Sequence, residues 1–141
     1  MEANLFNDES IAPGSPVLTI AAPWSHLILT GIKRVENRTW KLNLRERLYI
    51  HSAKSISRSD VAWCRAQRIK LPSTYPLGCI VGSVEVYDCV HADDFTRAHA
   101  KLIGRDQAKF AFGPYLFLLR DPVLLPTPIP ARGRLGIWRT T

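Results

Sequence analysis

Apolar and polar positions follow short, changing periods through most of this chain after Val17, which marks a succession of short elements. Val17 to Ala22 reads as a strand closed by Pro23. From Trp24 the apolar positions recur at Leu27, Ile28 and Gly31, the spacing of two helical turns, with Gly31 as the stop. Val35 to Lys41 predicts a charged strand, Asn43 to Glu46 a polar turn, and Arg47 to Ala53 a further strand. Alternation in that last strand puts Leu48, Ile50 and Ser52 on one face and Tyr49, His51 and Ala53 on the other. Asp60 to Lys70 predicts a helix, and Leu71 to Pro76 a loop. Gly78 to His91 is the clearest strand, long and apolar enough for the middle of a sheet. Asp93 and Asp94 predict the cap of a helix running to Ile103, with Phe95, Ala98 and Leu102 as its apolar stripe and Gly104 as its end. The turn Phe112-Gly113-Pro114-Tyr115 enters a strand at Leu116 to Leu119. Four prolines between Pro122 and Pro130 suit an edge or crossing segment, and Gly133 to Arg139 makes a glycine-punctuated last strand. These elements predict a mostly β, α+β fold: a small β-barrel of about six strands with two or three short helices.

Composition changes this picture little. A chain of 141 residues supports one packed domain, read here as 17–141 behind a flexible leader at 1–16 that holds Pro13, Gly14 and Pro16. No apolar run approaches the roughly 18 residues of a membrane span, and the acidic N-terminus has no signal pattern, so a cytoplasmic protein without membrane contact is expected. Cys64, Cys79 and Cys89 show neither CxxC spacing nor a nearby His at ligand spacing. They are expected as free thiols, with no metal site.

Charge adds more. The net charge is +7, and residues 31–58 alone carry eight basic and two acidic side chains. That concentration is either a footprint for phosphate or a solvated basic surface. Its centre is Gly31-Ile32-Lys33-Arg34-Val35-Glu36-Asn37-Arg38-Thr39-Trp40. If extended, this stretch puts Glu36, Arg38 and Trp40 on one side and Val35, Asn37 and Thr39 on the other. Lys33 lies beside Arg34 and near Arg38, like-charged neighbours of the kind that activate a lysine as nucleophile or base; the alternative is a plain contact to phosphate or carbonyl oxygen. Glu36 and Arg38 form a structural ion pair, or else grip a base amine and a phosphate. Trp24 and Trp40 either stack on a base or belong to the core. His51, Ser52 and Lys54 end a strand that should open towards a cleft, with Tyr115 as one wall. A Ser-His-Asp set, a P-loop and a dinucleotide fingerprint are absent, so no cofactor is expected.

Gly31, Lys33, Glu36 and Arg38 spell G-x-K-x-x-E-x-R, preceded by Pro23-Trp24 and followed by Leu48 to Lys54. In this the chain resembles the ASCH domain, a branch of the PUA-like superfamily. The likeness continues in Gly82 to Cys89, Phe112 to Tyr115, Pro128 to Pro130, Gly133 and Gly136-Ile137-Trp138. The resemblance implies a PUA-like barrel whose motif lines a cleft. It also implies a partner: RNA or another single-stranded nucleic acid, or a nucleoside or nucleotide. Members are thought to bind RNA, and some small relatives hydrolyse the amide of acetylated cytidine through the lysine matching Lys33. Those relatives have a threonine where this chain has Glu36, and a later glutamate for which Glu85 is a candidate by position. A binding module is the first expectation; an amidohydrolase on an acylated nucleoside, with Lys33 and Glu36 catalytic, or a ribonuclease, is the alternative.

Overall fold

The computed structural model describes residues 11–44 and 46–141. Most of the expected leader, residues 1–10, lies outside the described residues, as does Arg45 of the expected turn. Six strands form one mixed sheet: β1 (Pro16–Ala22), β2 (Val35–Arg38), β3 (Arg47–Ile56), β4 (Cys79–His91), β5 (Tyr115–Pro130) and β6 (Ile137–Arg139). Their order is β2-β5-β4-β3-β1-β6, with β1 and β3 parallel and every other pair antiparallel. Three helices, α1 (Trp24–Leu29), α2 (Arg58–Ala66) and α3 (Arg97–Ile103), and two 3-10 turns decorate it. None of the described helices is long and apolar enough to cross a membrane.

Two apolar clusters occupy the two faces. Leu18, Ile20, Leu48, Ile50, Val86, Phe117 and Leu119 pack with Ile28 and Leu29 of α1 on one. Val35, Val90, Leu116 and Leu118 pack with Ile103 and Phe110 on the other. Strand alternation explains the division, because neighbouring residues on β5 such as Phe117 and Leu118 project to opposite faces. β4 runs through the middle, as its apolar alternation predicts, flanked by β3 and β5. Gly82 on this strand has a packing reason: a Cβ there would collide with Val123 O and with Leu29 of α1.

The sheet is not closed by pairing. β2 and β6 are its two edges, so the barrel expected from the sequence is an open, curled sheet in its ladder. The curl still brings β2 near β1, where Arg38 Nη2 donates to Thr19 O at 3.3 Å.

Several local expectations change. β2 stops at Arg38 rather than Lys41. The helix expected from Asp93 is split into a 3-10 turn at Ala92–Asp94 and α3. Thr96 is the true cap, accepting from His99 N, because its hydroxyl completes a reciprocal box with the His99 ring. Leu102 of the expected stripe is 65% exposed, and Ile103 is buried instead. The proline-rich half of β5 pairs only with β4, because β2 meets β5 at Tyr115 to Leu118; the missing N–H groups thus fall on an edge.

Candidate functional site

The charged motif folds inward. α1 ends at Gly31, whose φ of +80° turns the chain so that Lys33 N donates to Leu27 O at 2.9 Å. That turn points Lys33 into the protein, where it is 3% exposed. Lys33 Nζ donates to Glu36 Oε1 at 2.8 Å, and Arg38 Nε donates to Glu36 Oε2 at 3.0 Å. One buried carboxylate therefore holds two cations. Burial pushes the Glu36 carboxyl up, but the charges of Lys33 and Arg38 and their hydrogen bonds outweigh it and hold it below the usual carboxylate range. Lys33 Nζ also lies 5.4 Å from the centre of the Trp24 ring. Trp24 Nε1 in turn donates to Asp60 Oδ2 at 2.8 Å, a partner that Ser57 Oγ shares at 2.6 Å.

The expected like-charge neighbour is elsewhere. Arg34 points away from Lys33: its Nε donates to Ile103 O, its Nη1 to Gly31 O and its Nη2 to Asp106 Oδ1. Arg34 lies in the segment between Gly31 and β2 and turns to Ile103 and Asp106, so Lys33 meets a carboxylate rather than a cation. Asn37 also leaves the motif side. Its Nδ2 donates to Phe110 O, and its Oδ1 accepts from Phe112 N and Gly113 N, which pins the loop before β5. Trp40 packs in the first core cluster, 5.4 Å from Phe117. Tyr115 sits beside His91 with ring centres 5.1 Å apart, at the β5 position paired with Arg38.

Ser52 separates from His51 and Lys54, which line one cavity. Ser52 is buried with its hydroxyl 3.1 Å from that of Ser25. His51 and Thr19 are register partners on β3 and β1, between core residues that face the other way. They line a cavity of about 380 Å³ with Ala53, Lys54, Arg132, Gly133, Arg134 and Leu135. His51 Nε2 lies 2.6 Å from Ala131 O, and Trp138 Nε1 donates to Thr19 Oγ1 at 3.1 Å. Lys54, Arg132 and Arg134 are exposed, no acid lines the cavity, and none of the three cations has a carboxylate partner among the described residues.

Sequence reasoning thus brought Trp24, Lys33, Glu36 and Arg38 together correctly in space and missed Asp60 beneath them. It also missed Arg132 and Arg134. Two arginines around a glycine were a usable signal, but Gly133 and Arg134 fall in an expected final strand that in fact begins only at Ile137. Gln107 was missed too: fully buried, it accepts from Arg34 N at 2.6 Å and donates to Ile32 O at 2.9 Å, fixing the backbone beside the motif.

The sequence model of the ASCH domain matches residues 18–114. Over 134 residues the chain is 30% identical to activating signal cointegrator 1 of Homo sapiens and 28% identical to that of Mus musculus, with 89% of this chain covered in each case. It spans only 22% of the length of these relatives. Among solved structures, ASCH from Zymomonas mobilis is similar at 18% identity and a TM-score of 0.47, covering 83% of this chain and 73% of that one. A serine-to-alanine mutant of that bacterial protein aligns at 18% identity with a TM-score of 0.49, over 84% of this chain and 77% of that one. On the match over residues 18–114, the chain belongs to the ASCH domain family.

Proposed function

We propose that this ASCH domain binds single-stranded RNA, and that the cavity between β1, β3 and the 131–135 segment is where the strand sits. One observation carries the reading: Lys54, Arg132 and Arg134 converge on a cavity without an acid, and among the described residues none of them is spent on a carboxylate. Unpaired cations around a concave surface are what a phosphodiester backbone requires. Family membership supports the same direction, since ASCH domains are associated with RNA.

In this reading Lys33, Glu36 and Arg38 are the brace behind the surface. Arg38 is bonded both to Glu36 and to the backbone of Thr19, so the buried pair supports the strand whose next face lines the cavity. The hydrolase alternative fits the geometry poorly. An attacking lysine needs a free lone pair and access to an amide, whereas Lys33 Nζ donates to Glu36 and is buried.

Titrating a labelled single-stranded RNA at increasing salt tests the proposal. Affinity should fall steeply, as it does when cations displace counterions from phosphates. Absence of binding, or binding indifferent to salt, would sink it. Incubation with acetylated cytidine should release no acetate; release abolished by Lys33→Ala would instead establish the hydrolase.

A further inference from the structure

We propose that the same cavity reads the sugar as well as the phosphate: His51 Nδ1 accepts a hydrogen bond from a ribose 2′-hydroxyl, giving preference for RNA over DNA. This rests on the cavity being the RNA site.

The tautomer follows from the partner on the other ring nitrogen. Ala131 O can only accept, so His51 Nε2, 2.6 Å away, carries the hydrogen. Nδ1 of that neutral ring is an acceptor. It is buried with the rest of the side chain, which is 1% exposed, and has no hydrogen-bond partner among the described residues. Buried polar atoms are nearly always paired, so an orphan acceptor on a cavity wall marks a position for a donor that the protein does not supply. Thr19, the register partner of His51, accepts from Trp138 Nε1 at its Oγ1 and makes no hydrogen bond to Nδ1.

Gly133 keeps the position available. A Cβ there would fall 2.9 Å from His51 Cε1 and 3.2 Å from Nδ1, against the ring edge that the cavity shares. The backbone of Gly133 is not in the left-handed region, so close approach, not conformation, is the reason for glycine. The ring edge is shut from bulk water beneath this residue. Residues 131–136 carry neither helix nor strand, and the proposal requires this segment to shift when the hydroxyl enters.

The surrounding charges decide which donor fits. Lys54, Arg132 and Arg134 place phosphate beside the histidine, and the cavity lining holds no Phe, Tyr or Trp on which a base would stack. The donor nearest to a phosphodiester in a nucleic acid is the 2′-hydroxyl, on the carbon next to the one bearing the 3′-phosphate. One nucleotide can thus supply both the anion and the hydroxyl. The 2′-hydroxyl is also what distinguishes RNA from DNA in every nucleotide, whatever the base.

Fluorescence anisotropy with a short oligouridine and the oligodeoxyuridine of equal length isolates this hydroxyl. The RNA should bind about tenfold more tightly, the worth of one added hydrogen bond. His51→Gln retains a donor for Ala131 O but replaces the fixed Nδ1 acceptor with the oxygen of a rotatable amide, and should bring RNA affinity towards that of the DNA. Gly133→Ala should do the same by crowding the ring edge, and thermal unfolding checks that both variants are folded. A wild-type ratio near one overturns the ribose proposal alone, as does a preference that survives in both variants. If neither oligonucleotide binds, the RNA reading falls with it.

Discussion

Two groups of cations in this domain lie a strand's thickness apart and have opposite fates. Lys33 and Arg38 share Glu36; the lysine and the carboxylate are buried and the arginine is half-buried. Lys54, Arg132 and Arg134 face outward around a cavity and have no carboxylate partner among the described residues. The first group costs desolvation and repays it through mutual attraction, so its worth is structural integrity of the sheet edge. The second costs nothing in the free protein and keeps its charge for a partner. Density of charge along a sequence therefore does not locate a binding surface; what matters is which charges remain after the protein has paired its own.

The sharpest way to break the comparison is to remove the shared carboxylate. Glu36→Ala leaves Lys33 buried without its anion and should lower stability by about 3 to 5 kcal/mol in urea unfolding. A loss under about 1 kcal/mol would mean that the pair is solvated and not a brace. Asn37→Ala should come next, at about 1 to 3 kcal/mol, because the side chain satisfies Phe110 O and the N–H groups of Phe112 and Gly113. Acid should find the same inner group. The Glu36 carboxyl titrates below its ordinary value of 4.5 in the folded protein, so its contribution is complete above that value and is lost as pH falls through the folded one. Stability measured below about pH 5 should therefore decline more steeply in the wild type than in Glu36→Gln. At the small end, Arg134→Ala should leave stability within about 0.5 kcal/mol, since an exposed arginine with no carboxylate partner among the described residues has little to lose.

Much of the architecture was legible in the chain, and the reasons are specific. β4 announces itself through β-branched residues at alternate positions, and β1 and α1 through apolar spacing closed by Pro23 and Gly31. The helix at 93–103 was misread because two aspartates look like a better cap than the Thr96 and His99 box that the chain uses. Arg34 was unreadable: its partners Ile103 and Asp106 lie 69 and 72 residues away, and only the fold introduces them. At the candidate site the motif identified Glu36 and Arg38 as strand neighbours, and alternation placed His51 opposite Ile50. What alternation could not show is that the opposite face, with Arg132 and Arg134 folded over it, carries the unpaired charge.

The central claim is that RNA meets the outer cations and not the inner triad. Measuring RNA affinity and its salt dependence in two double variants tests this directly. Arg132→Ala with Arg134→Ala should weaken binding strongly and reduce the slope against salt by about two. Lys33→Met with Glu36→Gln, once shown by thermal unfolding to be folded, should bind RNA within about twofold of wild type, because neither side chain reaches the surface. The opposite pattern, with binding lost in the inner variant and kept in the outer one, would contradict the account.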